Sequence, residues 1–464
     1  MRKIFLAILV LMIFSNLGAQ NFKLKLISDF RADSISLQAY HTKNFKYEKL
    51  LTLPYNKEMS FTLDTPLVPG IYLITKDTTV IVEFFISSTK GQSYTIHIQG
   101  NEFIFNGSPE NQSNQEYIKK MASFDARIAQ LDKEFQELKS RNLPTYMLQP
   151  FVDTISQKAE MIQQEKKAYQ VLFISDQKNT LLKSIIQSTI EIPSPPKEYY
   201  KNRVQYYTYL LEHQFDTYQW TDERLLNTPL PYNKFKFYAQ VILELQPEVA
   251  TPIVIRDLDK SKVSRAHYYQ FFDYLELFYG SITSPYRDEY LYIEMLKNAL
   301  QYPELSMERK TRYEYELQII DKNREGSVVP DFALIMSNGD TTNLYELEAP
   351  YLLLYFQNPD CPSCIELRQK MESMDHFKKA IADQKLKVVT VYFEADEKIW
   401  NRYLQSAANP AYMHGWNYDL AIEKNKMFDT RTIPTLYLLD KDKKVIKKDL
   451  LKNEIEIYMQ MINP

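Results

Sequence analysis

No glycine occurs between Gly107 and Gly280 in this 464-residue chain. Such an absence favours helices, which glycine weakens. Within the stretch, Tyr117, Met121, Phe124, Ile128, Leu131, Phe135 and Leu138 step by four and three alternately. That spacing lays one apolar seam along a helix, as in a coiled-coil hairpin. Asn142-Leu143-Pro144 then turns the chain, and a second, less regular helix carries Phe151, Ile155, Ile162, Tyr169 and Leu172. The expected partner of the seam is the neighbouring helix of the same chain. The same pattern would serve a dimer, so it does not fix the oligomeric state. Ser194-Pro195-Pro196 breaks the periodicity, and shorter amphipathic helices rich in Tyr and Phe run on to about Arg324. His213 and His267 have no companions at ligand spacing. The segment 110–325 reads as all-α and carries no catalytic motif.

Different textures flank it. Residues 20–109 alternate in the manner of strands, as in Phe22-Lys23-Leu24-Lys25-Leu26-Ile27 and at Tyr94, Ile96 and Ile98, with Pro69-Gly70 and Lys90-Gly91 as turns. This predicts a small all-β module, sandwich-like, in which His41 and His97 stand alone. From residue 326 to 464 strands and helices interleave. A hairpin spans Val328–Leu334 and Thr341–Leu344, followed by an apolar strand 351–356, a helix to about Ala382 and a strand 386–393. A helix near 399–407 and a short helix ending near Phe428 come next. Strands 435–439 and 445–447 and a terminal helix from about Asn453 close the chain. Interleaving of this kind implies a central sheet covered on both faces, an α/β domain.

The start has the form of a secretory leader: basic Met1-Arg2-Lys3, an apolar run Ile4–Phe14, and small residues up to Ala19, where cleavage is expected. The apolar run is too short to span a bilayer, and no later stretch is long and apolar enough. No cysteine follows it to take a lipid. The expectation is a leader at 1–19 and a mature protein soluble in an exported, periplasmic compartment. A net charge of -3 and a pI near 6.2 argue against nucleic acid as a partner. The 35 Tyr and 25 Phe could line a glycan- or peptide-binding groove, but core packing is the expected use of such rings.

Only two cysteines are present, Cys361 and Cys364, in Asp360-Cys361-Pro362-Ser363-Cys364 directly after the apolar strand. A sulfur at a helix N-terminus meets unpaired N–H groups and the positive end of the helix dipole, which favour a thiolate. A second sulfur one turn on lies on the same face, close enough to attack a mixed disulfide. A bridge across three residues closes almost no loop and stabilises little, so a structural disulfide is not expected even in an oxidising compartment. A metal site would need two more ligands. His376 and His414 lack paired spacing, so no metal is expected. His414-Gly415-Trp416 reads as a loop, with a structural or solvent-facing histidine.

On these residues the last third resembles the thioredoxin fold, in its exported TlpA/ResA-type branch. Pro330-Asp331-Phe332 before a hairpin is similar to that branch's opening signature. Cys361-Pro362-Ser363-Cys364 is similar to its redox motif, and Thr432-Ile433-Pro434-Thr435 to its cis-proline segment. The resemblance implies a thiol–disulfide oxidoreductase with Cys361 as attacking thiolate and Cys364 as resolving thiol. Pro362 would fix the first turn of the helix, and Ile433 and Pro434 would shape a groove where the Ile433 backbone pairs with a substrate strand. It implies no cofactor beyond a redox-active Cys361–Cys364 disulfide. The implied partners are disulfide-bearing exported proteins and an electron-donating redox protein. The upstream modules look similar to those preceding such domains in Bacteroidota-type bacteria.

Three departures stand out. Asp360 occupies the place where the family commonly has Trp, and a carboxylate there is expected to raise the Cys361 pKa. Tyr355 fills the slot of the buried acid of thioredoxins, leaving Tyr355 and Glu366 as weak proton acceptors for Cys364. Ser363 puts no positive charge beside Cys361, which favours a reductant or isomerase over a primary oxidant. The Pro-x-x-x-Thr-x-x-Cys framework of the fold's peroxidase variant is missing at Asn358-Pro359-Asp360-Cys361. A non-catalytic scaffold of the cell envelope with a weakly active thioredoxin-like domain is the alternative.

Overall fold

The computed structural model describes residues 21–41, 45–100, 102–141, 144–178, 180–282, 284–320 and 322–463. The leader expected at 1–19 lies outside the described residues, as do Asn142 and Leu143 of the expected helix turn. The chain divides into two compact units: Met1–Gln246 with Arg256–Phe271, and Pro247–Ile255 with Phe272–Pro464.

The first unit opens with eight strands: β1 (Phe22–Ser28), β2 (Ser34–His41), β3 (Lys46–Pro54), β4 (Glu58–Leu63), β5 (Gly70–Lys76), β6 (Thr79–Ile86), β7 (Ser93–Gln99) and β8 (Glu102–Asn106). They form two four-stranded sheets, ordered β4-β1-β7-β8 and β3-β2-β5-β6, with one parallel pair, β1 beside β7. Alternation does the sorting. Phe22, Leu24 and Leu26 of β1 face Ile35, Leu37, Ile74 and Phe84 of the other sheet in one shared core. After β8 the chain turns at Gly107, whose φ of +83° and 2.6 Å approach of a would-be Cβ to the Ser93 carbonyl leave no room for a side chain. Ser108 then caps α1 (Pro109–Ser140), with Pro109 in the first turn. Buried Asn111 ties this helix to β6, accepting from the Phe85 N–H at 2.8 Å and donating to its carbonyl at 2.9 Å.

α1 and α2 (Thr145–Asp176) make the expected hairpin around Phe124, Leu131 and Ile162, flanked by Met121, Ile128, Ile155 and Tyr169. Two seam residues differ from expectation. Leu172 is 65% exposed, because Phe173, four residues after Tyr169, takes the inner position and packs on Tyr117. Phe151 is also exposed, lying one turn beyond Ile155, where the packed cluster ends. Further on, Phe215, Tyr218, Trp220, Phe235, Tyr238 and Phe271 form an interlocked aromatic core. His267 sits fully buried against Tyr218 and Trp220. These rings are core, not groove.

The second unit contains a seven-stranded sheet: β9 (Ala333–Met336), β10 (Thr341–Asn343), β11 (Tyr351–Phe356), β12 (Leu386–Tyr392), β13 (Met413–Trp416), β14 (Thr435–Asp440) and β15 (Val445–Lys448), in the order β10-β9-β13-β12-β11-β14-β15. β11, β12 and β13 run parallel, and β14 lies antiparallel to β11. The central strand serves two cores. Leu352, Leu354 and Phe356 join Val389, Val391, Tyr437 and Phe428 on one face. Leu353 and Tyr355 join Cys364, Leu367, Met371, Phe377 and Met459 on the other. His414 is not in a loop: it sits in β13, a strand made possible by Gly415, whose added Cβ would stand 2.8 Å from Leu334 Cδ1.

Helices Glu289–Leu300 and Met307–Ile320 belong to this same unit and are joined to it by buried charges. Arg431 grips Asp429 through two bonds of 2.8 Å and reaches Glu316 at 3.3 Å. Arg287 pairs with Asp449 and Glu289, and Lys448 donates to the Ile320 carbonyl at 2.8 Å. The segment leading into Ile433–Pro434 is thereby anchored on the helices.

Candidate functional site

The site grows from the end of β11. Beyond Phe356 the chain must leave the sheet and enter a helix, and Asn358 makes the bend. Its side-chain oxygen accepts from the Asp360 N–H at 2.8 Å and its carbonyl from the Cys361 N–H at 3.0 Å. Cys361 is then the N-cap of the helix Pro362–Ser373, with Pro362 in the first turn, where a missing N–H costs nothing. Cys361 is partly exposed and Cys364 is buried at 1% exposure, and both are unbonded thiols.

Their electrostatics diverge. Slight burial pushes Cys361 up, but the Ser363 hydroxyl at 3.2 Å, the Cys364 N–H and thiol and the Ser363 N–H outweigh it, leaving Cys361 below its usual value. The expected rise from Asp360 does not occur. Its carboxylate is ion-paired with Arg402 on the helix Glu397–Ser406, which neutralises the charge beside the sulfur. Cys364 moves the other way: desolvation pushes it up to about 12, against a hydrogen bond from the Asn358 N–H.

The other sequence-selected residues fall into two groups. Tyr355 is buried beside the pair and donates to the Cys364 carbonyl at 2.5 Å, a tether rather than a titrating acid, since burial holds its phenol far above neutrality. Ile433 borders the same core cluster as both cysteines. Because Phe356 pairs with Thr435, Ile433 and half-buried Pro434 sit beside the end of β11, and their peptide bond is cis. Glu366, two residues past Cys364, is carried to the opposite side of the helix and pairs with Lys452 in solvent. It takes no part in the site. His414 is buried and committed to Thr390 (2.8 Å), Tyr403 (3.0 Å) and the Asn409 carbonyl (2.8 Å). His376 pairs with Glu456 at 2.6 Å.

Sequence reasoning missed Asn358, Ser363 as a thiolate donor, Arg402 and Glu394. Glu394 follows β12 and accepts from the Asn358 side chain at 2.9 Å. The Asn-Pro-Asp run is a recognisable turn signal, so Asn358 was open to notice. Arg402 and Glu394 carry no local signal.

Residues 350–445 match the family described as Thioredoxin-like. The C-terminal domain is thioredoxin-like. Residues 152–323 match a domain of unknown function, DUF5106. A solved thioredoxin-like protein from Bacteroides caccae is 26% identical, with a TM-score of 0.53 over 59% of this chain and 98% of its own. The C-terminal domain of an uncharacterized protein from Bacteroides fragilis is 31% identical, covering 30% of this chain and 98% of its own, with a TM-score of 0.29. A domain of a possible thiol-disulfide isomerase from Cytophaga hutchinsonii is 20% identical over 30% of this chain and 94% of its own, with a TM-score of 0.28. No curated protein matches the chain. The thioredoxin-like domain thus follows a β module and a helical module, with the cysteine pair at the strand–helix junction.

Proposed function

We propose that this chain is an exported thiol–disulfide oxidoreductase that reduces or isomerises disulfides of other exported proteins. One observation carries the reading: a partly exposed sulfur at a helix N-cap, its pKa lowered by nearby donors, sits one turn from a buried sulfur whose pKa burial raises. That asymmetry divides labour, since the thiolate attacks and the buried thiol stays protonated until a mixed disulfide forms beside it. Neither backbone group of Ile433 has a hydrogen-bond partner among the described residues, which leaves it open to a substrate strand. The largest influences that favour the Cys361 thiolate are neutral donors, which supports a reductant or isomerase rather than a strong oxidant. Among the described residues no helix is long and apolar enough to cross a membrane. The leader expected at 1–19 supports a periplasmic location, with an electron-donating partner that re-reduces the pair.

The test is reduction of insulin disulfides by the wild-type chain, and trapping of mixed disulfides from an exported-protein extract by Cys364→Ser. Wild-type turnover and trapped partners are expected. An inert wild type together with an empty trap rejects the reading in favour of a scaffold.

A further inference from the structure

Cys364 must surrender its proton before it can attack, and its thiol pKa of about 12 makes an acceptor necessary at neutral pH. Most candidates around the pair are already engaged. Tyr355 is held protonated by burial and spends its hydrogen on a carbonyl. Asp360 is paired with Arg402 and Glu366 with Lys452, and His414 is enclosed by three partners. We propose that Glu394 is the proton acceptor for Cys364 in the resolving step, a role that rests on the oxidoreductase reading above.

Carboxylate and sulfur meet at one residue, Asn358, and the Glu394 charge is among the influences that raise the Cys364 thiol. The Asn358 side chain donates to Glu394 Oε1 at 2.9 Å while the Asn358 backbone N–H addresses the Cys364 sulfur. Carboxylate and sulfur are thus held from two sides of the same turn. Glu394 is half-buried, and its main chain is fixed by the Trp416 indole, which donates to its carbonyl at 2.8 Å. The other charged or titratable groups in the neighbourhood are Cys361, Tyr355, Arg368, Tyr392, Tyr403, Asp396 and the Asp360–Arg402 pair. With a substrate disulfide as oxidant, the Cys361 thiolate attacks one sulfur and expels the first substrate thiolate. The Cys364 proton passes to the Glu394 carboxylate. The Cys364 thiolate then attacks Cys361 Sγ, the Cys361–Cys364 bond forms, and the second substrate thiolate leaves and takes the proton back. Two electrons have moved from the pair to the substrate.

5,5′-Dithiobis(2-nitrobenzoate) resolves these steps, because attack releases one coloured thiolate and resolution releases the second. In stopped flow with the reduced full chain at neutral pH, Glu394→Gln keeps an acceptor for Asn358 and is expected to leave the first phase unchanged. It should slow the second phase about a hundredfold and move its pH profile to the alkaline side. Glu394→Asp is expected to restore most of the second phase. If Glu394→Gln resolves at the wild-type rate with the wild-type pH profile, the proposal fails while the oxidoreductase reading stands. A wild type that releases no second thiolate sinks the oxidoreductase reading itself.

Discussion

Replacing Arg287 by Met tests how the thioredoxin-like domain is held to the helices before it. The Arg287 guanidinium is 11% exposed, bonds Asp449 and Glu289, and lies 3.8 Å from Asp429. Asp429 would keep Arg431 after the change, and Glu289 would keep Lys448. Asp449 would not be rescued. It is 8% exposed, its second oxygen has no partner, and it lies above the usual carboxylate range because burial already outweighs Arg287. Removing one partner of a buried pair costs about 3–5 kcal/mol. At about 2–4 °C per kcal/mol for a unit of this size, Tm should fall by roughly 6–20 °C at pH 7. The pH dependence follows from the sign of the shift. A carboxyl whose folded pKa is raised keeps its proton to higher pH in the native state than in the unfolded one, so its deficit is smallest in acid and grows as pH rises through that pKa. Calorimetry of Arg287→Met should therefore show a loss that shrinks toward pH ~4. Adding Asp449→Asn should recover most of it, since Asn tolerates the left-handed backbone at position 449, where φ is +49°. A single variant within ~1 kcal/mol of wild type at pH 7, or a double variant no better than the single, refutes the reasoning.

Other outcomes are equally concrete. Ser363→Ala removes the hydroxyl beside Cys361 and should raise the midpoint of iodoacetamide alkylation by about 0.5–1 pH unit, as a modest hydrogen bond allows. Arg402→Ala strips the counter-ion from Asp360 and should also raise that midpoint, more at low salt than high, whereas adding Asp360→Asn should cancel the rise. Gly415→Ala drives a methyl into Leu334 and should destabilise the domain by about 1–3 kcal/mol in urea unfolding. His267 is buried neutral with its pKa pushed down to about 4, so stability should fall as pH drops from about 6.5 to 4, by on the order of 3 kcal/mol. A His267→Phe variant whose stability keeps the same acid slope would rule this out.

Much of this architecture was legible because it is local. Period-two alternation identified the sandwich, the four-and-three step identified the α1–α2 hairpin, and strand, turn and cysteine helix lay in one unbroken run. What escaped was made by residues distant in sequence. Asp360 looked harmful to the thiolate because its neighbours in the chain offer no counter-charge, yet Arg402 supplies one from 42 positions away. Arg287 and Asp449 are 162 positions apart, and buried charges leave no trace in a hydropathy pattern. The His414-Gly415-Trp416 run reads as a loop in sequence, whereas it forms a strand in which Gly415 lets Leu334 lie close across it. Glu394 needed the fold to bring it to Asn358.

The central strand carries a hidden fragility. Tyr-Leu-Leu-Leu-Tyr-Phe is apolar at every position, so a slip of one residue would preserve its hydrophobicity while exchanging its two faces. The slip would put Phe356 where Tyr355 now anchors the Cys364 carbonyl, and no hydroxyl would be there to hold it. Register in β11 is therefore written by the Tyr355 hydroxyl on one face and by the Phe356 ring, packed on Phe428 and Tyr437, on the other.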